Sequence, residues 1–247
     1  HIPMTLMRGY GGGHNLQDWL NDFIFPAEAK WDDRAIRAAT GLGLAEMIAS
    51  GVTCVADMYM HTGTIAEQIL EAGISANLSC GGVYFGAPED FSPETCGDCR
   101  NQAALTEEWH GAGAGQILVD ASVHGEYTSN PPLWRWMAEY AAEHRLGMHV
   151  HVSETQSEHQ ASLERWGKTP IQALDGCGVW DCGRSLAAHC VYTTEEDWAL
   201  MAEKGISCVH NPWSNLKLGS GVAPIPAMMR AGVNVALGTD GMSSHNS

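Results

Sequence analysis

The sequence predicts an α/β fold, a (β/α)8 TIM-type barrel of which seven strands and their helices are present. Three observations predict it. Seven short apolar runs alternate with helix-like segments at the spacing of parallel βαβ units. Histidines and acids stand where those runs end, at Asp57, His124, His151 with Glu154, His189, His210 and Asp240. In a parallel barrel such ends meet at one rim, the place of barrel active sites. The alternative is an open doubly wound sheet. It loses its main support because no GxGxxG follows a strand and no GxxxxGK[ST] occurs.

The bulk numbers agree with one domain over residues 1–247, 45% hydrophobic. A net charge of −16, from 13 basic and 29 acidic residues, argues against nucleic-acid or anionic-membrane partners, which need a positive field. No apolar run approaches the ~18 residues of a membrane span, and no signal peptide is visible. The eight cysteines are scattered rather than spaced as a disulfide framework, which points to the reducing cytoplasm. Cys54, Cys80, Cys190 and Cys208 lie in or beside apolar runs and read as small buried hydrophobes. Cys96-x-x-Cys99 with Cys177 and Cys182 is only a weak structural-zinc pattern, lacking a second tight pair.

In chain order, residues 1–31 hold Gly11-Gly12-Gly13 and no clear period, so a long loop with a helical turn near 16–23 is expected. Residues 32–50 read as a helix, capped by Asp32 or Asp33, with Ile36, Ala39, Leu44, Met47 and Ile48 as its apolar stripe. The first strand is 53–58, then a helix over 62–72, and a strand over 75–84 that ends in glycines. A polar segment to Arg100 precedes a helix to Trp109. Strand 116–123 ends at His124-Gly-Glu126-Tyr127; helix 132–144 leads to strand 147–152. Helical turns over 158–166 and 170–174 precede strand 186–191. Helix 195–204, closed by Gly205, leads to strand 206–210. The Asn211-Pro-Trp-Ser-Asn215 stretch reads as a loop, followed by helix 224–231 and strand 233–237. Seven strands leave a barrel one short, and a first strand ending at His1 completes eight.

The centre of the pattern is His149-Val-His151-Val-Ser-Glu154. Residues two apart on a strand share a face, so both histidines point the same way. His149 lies one layer below His151 and reads as a supporting or packing residue. Histidine and aspartate side chains converging from several strand ends suit zinc, which takes nitrogen and oxygen ligands and keeps a position open when catalytic. Metal-dependent hydrolysis is the reading from the residues alone. His14, His61, His110, His144, His159 and His245 are expected at the surface or in loops, and His210 either holds its loop or touches substrate.

Several stretches together resemble the amidohydrolase superfamily, and within it the adenosine-type deaminases acting on methylthioadenosine and S-adenosylhomocysteine, grouped with chlorohydrolases. They are His1-Ile-Pro-Met-Thr-Leu-Met-Arg-Gly, Trp19-Leu…Pro26-Ala-Glu28, His151-Val-Ser-Glu154-Thr, Ala188-His189-Cys190-Val, the run from His210-Asn-Pro-Trp-Ser-Asn to Gly221, and Leu237-Gly-Thr-Asp240-Gly. The resemblance implies one divalent metal, zinc first with iron(II) or manganese(II) as alternatives, held by His1, His151 and Asp240. A further ligand histidine would stand two residues before His1. Glu154 matches a proton-shuttling glutamate, and His189 a histidine that orients water and stabilises the oxyanion; Asp240 serves in catalysis as well as in binding metal. Trp19, Glu28 and His124 match pocket positions. The resemblance also implies a first strand and a flanking β-sandwich that this sequence does not contain.

The implied reaction is hydrolysis of a 6-aminopurine nucleoside to the inosine analogue and ammonia. The substrate would be methylthioadenosine, S-adenosylhomocysteine or a 5′-deoxyadenosine type, its ribose hydroxyls received by Glu28 beside Trp19. One departure concerns the substrate: the family often has an arginine on strand three, where Leu78-Ser79 is here followed by Cys80, with Arg100 in the next loop as a stand-in. The alternatives are a deaminase or chlorohydrolase of a free base, pterin or triazine, and a catalytically silent metal-binding homologue. A binuclear centre is disfavoured because 116–123 contains no lysine to bridge two metals. The expected partner is a small-molecule substrate, with homo-oligomerisation left open.

Overall fold

The computed structural model describes residues 1–245. Its strands are β1 (Cys54–Met58), β2 (Ser75–Ser79), β3 (Ile117–Gly125), β4 (Gly147–Val152), β5 (Ser185–His189), β6 (Ile206–His210) and β7 (Asn234–Leu237). They form one sheet in the order β1-β2-β3-β4-β5-β6-β7, every neighbouring pair parallel. Chain order and spatial order coincide. A doubly wound sheet reverses direction partway, whereas crossovers of one hand wound always the same way keep the helices on one face and curl the sheet. The architecture is the α/β barrel type, incomplete in this chain.

Local chemistry explains the element boundaries. Helix Asp33–Ala49 begins where the Asp32 carboxylate accepts the Ala35 N–H at 2.9 Å. Helix Glu195–Lys204 starts with a reciprocal capping box between Thr194 and Asp197, and stops at Gly205 with φ 67°. Helix Thr62–Ala72 stops at Gly73, also left-handed. Gly43 has a packing reason: a Cβ there would stand 2.8 Å from Ile2 and Thr5, whose turn lies directly on this helix.

Two apolar clusters hold the layers together. One joins β3 to β6 with the outer helices, through Val123, Met148, Val150, Leu133, Met137, Leu174, Met201 and Met228. The other joins the N-terminal segment to β2 and the first two long helices through Ile2, Ile24, Ile36, Ile65, Ile69 and Leu78. Each fully buried side chain of this kind stabilises by about 1.5–3 kcal/mol.

The structure corrects several expectations. Residues 1–31 are mostly helical rather than a long loop: a 3-10 turn at Ile2–Met7, then Leu16–Asp18, a π-helical stretch Trp19–Ile24, and Phe25–Glu28. Leu16, Trp19, Leu20 and Ile24 share a buried face, and Asn15 caps the start by accepting the Asp18 N–H at 3.1 Å. The strand expected over 75–84 ends at Ser79, leaving only an isolated bridge from Gly82 to Val123. The stretch after β6 is a short helix, Pro212–Lys217, rather than a loop. Ile48, placed on the apolar stripe, is 45% exposed, and Cys54 is exposed because β1 has only β2 beside it. His245, expected at the surface or in a loop, lies outside the helices and strands and is buried. Among the described residues no helix is long and apolar enough to cross a membrane.

Candidate active site

Parallel winding puts the C-terminal ends of the strands on one rim, and a cavity of about 410 Å³ opens there. The eight residues that the family resemblance assigns to a site all line it: His1, Trp19, Glu28, His124, His151, Glu154, His189 and Asp240. Its walls are otherwise largely apolar, with Met4, Leu20, Ile24, Phe25 and Phe85 among them. His149 lies beneath, its ring 5.9 Å from His151 and its Nδ1 3.3 Å from Ser79 Oγ. Arg100 does not reach the cavity: it is exposed and donates to the Glu94 carbonyl at 2.8 Å. Asp57 and His210 are also off the wall, and Asp57 instead accepts the Ile2 N–H at 2.9 Å, fixing the start of the His1 segment.

His1, His151 and Asp240 stand close together on the cavity lining. His1 Nδ1 donates to the Met58 carbonyl at 2.5 Å and His151 Nδ1 to the His124 carbonyl at 2.9 Å. A carbonyl only accepts, so both imidazoles carry their proton on Nδ1 and keep the Nε2 lone pair free. This tautomer, fixed by a backbone carbonyl, is the one a metal-binding histidine adopts. The two rings are 5.2 Å apart, and His1 Nε2 is 3.4 Å from Asp240 Oδ1. Donors ~2.0–2.1 Å from a tetrahedral centre stand about 3.4 Å from one another, so the pair fits zinc. Among the described residues, however, no three His, Cys, Asp or Glu side chains close around one point. Two nitrogens and one carboxylate present an open face suited to a divalent ion rather than a finished cage. The Cys96/Cys99 and Cys177/Cys182 pairs form no such group either.

Next to this face stand Glu154 and His189. Burial raises the Glu154 pKa, partly offset by His189 nearby, so its carboxyl holds a proton more readily than usual. Burial lowers the His189 pKa, but Glu154 and Asp240 outweigh it and raise it overall. Burial lowers Asp240's readiness to ionise, yet His189 and the Ser214 hydroxyl leave its pKa below the usual value. Burial, then His189, brings His124 down to about 4, so it is a neutral ring. Its Nδ1–H is received by Thr128 Oγ1 at 3.0 Å, whose own proton goes to the Gly125 carbonyl.

Backbone strain concentrates here. His189 (φ 79°), Cys190 (φ 50°), Ser153 (φ 54°) and Asp240 (φ 58°) all occupy the left-handed region at strand ends. Non-glycine residues adopt it at a cost of about 1–3 kcal/mol each, and such outliers gather at functional sites.

Sequence reading missed the residues that hold the lining side chains. The segment after β6 hydrogen-bonds three of these side chains: Asn215 Oδ1 accepts from His189 Nδ1 at 2.8 Å, Ser214 Oγ donates to Asp240 Oδ2 at 2.6 Å, and Ser220 Oγ donates to Glu154 Oε1 at 3.2 Å. All three donors and acceptors lie inside the His210–Gly221 stretch, so the signal was present without its partners. The lining also carries Trp19 and Glu28, both buried, and Tyr59, two residues beyond Asp57. The Trp19 indole N–H has no hydrogen-bond partner.

Comparison with known proteins places this geometry. The family model described as "Amidohydrolase family" matches residues 1–247. A 5-methylthioadenosine/S-adenosylhomocysteine deaminase of Moorella thermoacetica is 41% identical, over 100% of this chain and 56% of its own length. A 5'-deoxyadenosine deaminase of Methanosphaera stadtmanae is 38% identical, over 100% of this chain and 57% of its own. The crystal structure of an adenosine deaminase from Xanthomonas campestris with bound zinc superposes with a TM-score of 0.90 at 32% identity, covering 100% of this chain and 55% of that one. The chain thus spans little more than half the length of the relatives it matches.

Proposed function

The chain belongs to the amidohydrolase family, and from that premise we propose that it forms the catalytic barrel of a metal-dependent deaminase. The substrate is a 6-aminopurine nucleoside of the methylthioadenosine, S-adenosylhomocysteine or 5′-deoxyadenosine type, and the products are the inosine analogue and ammonia. The single observation that carries this reading is the cavity itself. Its one lining holds His1, His151 and Asp240 with Glu154 and His189, and Glu28 and Trp19 as well. The names of relatives at 38–41% identity support the nucleoside class.

His1, His151 and Asp240 would hold one divalent ion, zinc by the chemistry of the donor set. Bound there, it would act as a Lewis acid and bring water's ionisation towards neutral pH. The chain's own residues do the rest. Asp240 accepts the proton released as water adds to C6 of the purine. Glu154 delivers a proton to the adjacent ring nitrogen; the proton held by Asp240 then passes to the amino group, ammonia leaves, and the hydroxyl proton returns to Glu154 as the C6 carbonyl forms. His189 donates a hydrogen bond to the oxygen on which charge develops, a contribution of a few kcal/mol in such sites. His124 and Trp19 hold the substrate, and the Glu28 carboxylate accepts its ribose hydroxyls. The apolar walls exclude water from the purine. A reducing cytoplasm is our proposal for the compartment, from eight cysteines scattered rather than spaced as a disulfide framework.

The test is an ammonia-release screen of the full-length protein against adenosine-type nucleosides, guanine, pterins and triazines. Turnover of 5′-modified adenosines above all others is expected. A preference for a bare base or triazine would overturn the nucleoside assignment, and no turnover in zinc-loaded protein would overturn deamination.

A further inference from the structure

Glu28 is a buried carboxylate on the wall of a cavity, 7% exposed, and its side chain has one hydrogen-bond partner among the described residues. That partner is the Tyr59 hydroxyl, which donates to Oε1 at 2.5 Å. A carboxylate has about four acceptor positions, so one donor leaves most of its capacity, and all of Oε2, open to whatever fills the cavity. Leaving such a group unsatisfied inside a protein costs more than the bond would return, which favours a ligand bearing hydroxyl donors. The carboxylate nevertheless must not swing away, and the short helix that carries it ends at Glu28 itself.

Tyr59 is well placed to hold it. Its backbone N–H donates to the Ser79 carbonyl at 3.1 Å, tying it to the end of β2. Its ring lies 5.7 Å from His1 and 6.3 Å from Trp31, so it is packed between His1 and the helical segment that bears Glu28. Tyr59 and Glu28 come from elements 31 residues apart in sequence, and both line the cavity. The ring fixes the hydroxyl's position, and the hydroxyl fixes one carboxylate oxygen.

We propose that Tyr59 is a specificity-determining positioning residue, which orients Glu28 so that its free oxygen edge reads the vicinal diol of the nucleoside sugar. This rests on the reading of Glu28 as the sugar-binding carboxylate. The Tyr59 ring packs against His1, but its hydroxyl donates to Glu28, so removing the hydroxyl alone is read in selection of the sugar.

The experiment compares kcat/KM for an adenosine-type ribonucleoside and its 2′,3′-dideoxy analogue in full-length, zinc-loaded wild type, Tyr59→Phe, Glu28→Gln and the double variant. Tyr59→Phe removes one oxygen and keeps the ring. It should reduce the ribo-over-dideoxy preference by about tenfold, the scale of one hydrogen bond to a charged group, acting mainly through KM. The dideoxy substrate should be turned over as in wild type, which also reports an intact fold. The double variant should show no smaller preference than Glu28→Gln alone. If Glu28→Gln abolishes the preference and Tyr59→Phe leaves it unchanged, the role of Tyr59 is overturned and the sugar reading stands. If Glu28→Gln leaves the preference unchanged, the sugar reading itself is overturned. A Tyr59→Phe protein that loses both substrates equally would show a general structural role and overturn the proposal as well.

Discussion

The side-chain oxygen of Asn215 accepts the Nδ1–H of His189 at 2.8 Å, with both residues buried. The bond joins the segment after β6 to the end of β5 and fixes the ring in one plane; with the His189 pKa raised by Glu154 and Asp240, the imidazolium carries a proton on Nε2 as well and can donate from it. Nε2 is left for the cavity that His189 lines.

Removing that acceptor should misplace the ring without removing it. Asn215→Leu is expected to lower kcat by about tenfold to a hundredfold, the effect of small misalignments at reacting groups, with KM little changed. Asn215→Asp keeps an oxygen at the same place and should recover most of the loss. Steady-state kinetics checks this, with thermal denaturation to confirm folding. Equal losses in both variants would show that the acceptor is not what matters.

Metal binding should depend on His151, whose Nε2 is kept free by the bond to the His124 carbonyl. Full-length protein is expected to carry about one zinc equivalent, consistent with four-coordinate ligand sets. His151→Ala should lose it in elemental analysis, and unchanged metal content in that variant would refute the assignment.

Glu154→Gln keeps the shape of the side chain and the contact with Ser220, but cannot carry the proton. Metal content should stay the same while turnover falls by about a hundredfold or more, the usual scale of general acid–base groups. Near-normal turnover would mean that another group moves the protons.

Glu158 gives a pH prediction. Both its oxygens accept backbone N–H groups, from Ser153 and Glu154, each at 2.7 Å, and so hold the turn after β4. Burial nevertheless dominates and pushes its pKa from 4.5 up to about 7. The folded state therefore binds more protons than the unfolded chain between those values. Stability from this group is fully present below pH ~4.5 and is lost as pH rises through ~7, by something on the order of 3 kcal/mol. Denaturant titrations from pH 4 to 8 should show this slope in wild type and a flatter one in Glu158→Gln. Identical slopes would assign the pH dependence to other groups.

The sequence by itself determined the alternation of strands and helices, the strand ends on which His124, His151, His189 and Asp240 stand, and the caps that start and stop several helices. Those are local properties: side-chain period, β-branching, capping oxygens and left-handed glycines act within a few residues, and parallel winding then brings the strand ends to one rim. Tertiary structure alone decided which side chains hold the functional ones. Tyr59 meets Glu28 across 31 residues and Asn215 meets His189 across 26, and neither partner is marked by any nearby spacing. It also decided burial where neighbours rather than residue type set the outcome. Cys54 is exposed on β1, His245 is buried, and residues 16–28 form helix despite a glycine-rich approach because their apolar face finds the cavity wall and the second core cluster. A hydrogen bond or a packed face between distant segments is a property of the pair, and one segment's sequence contains only half of it.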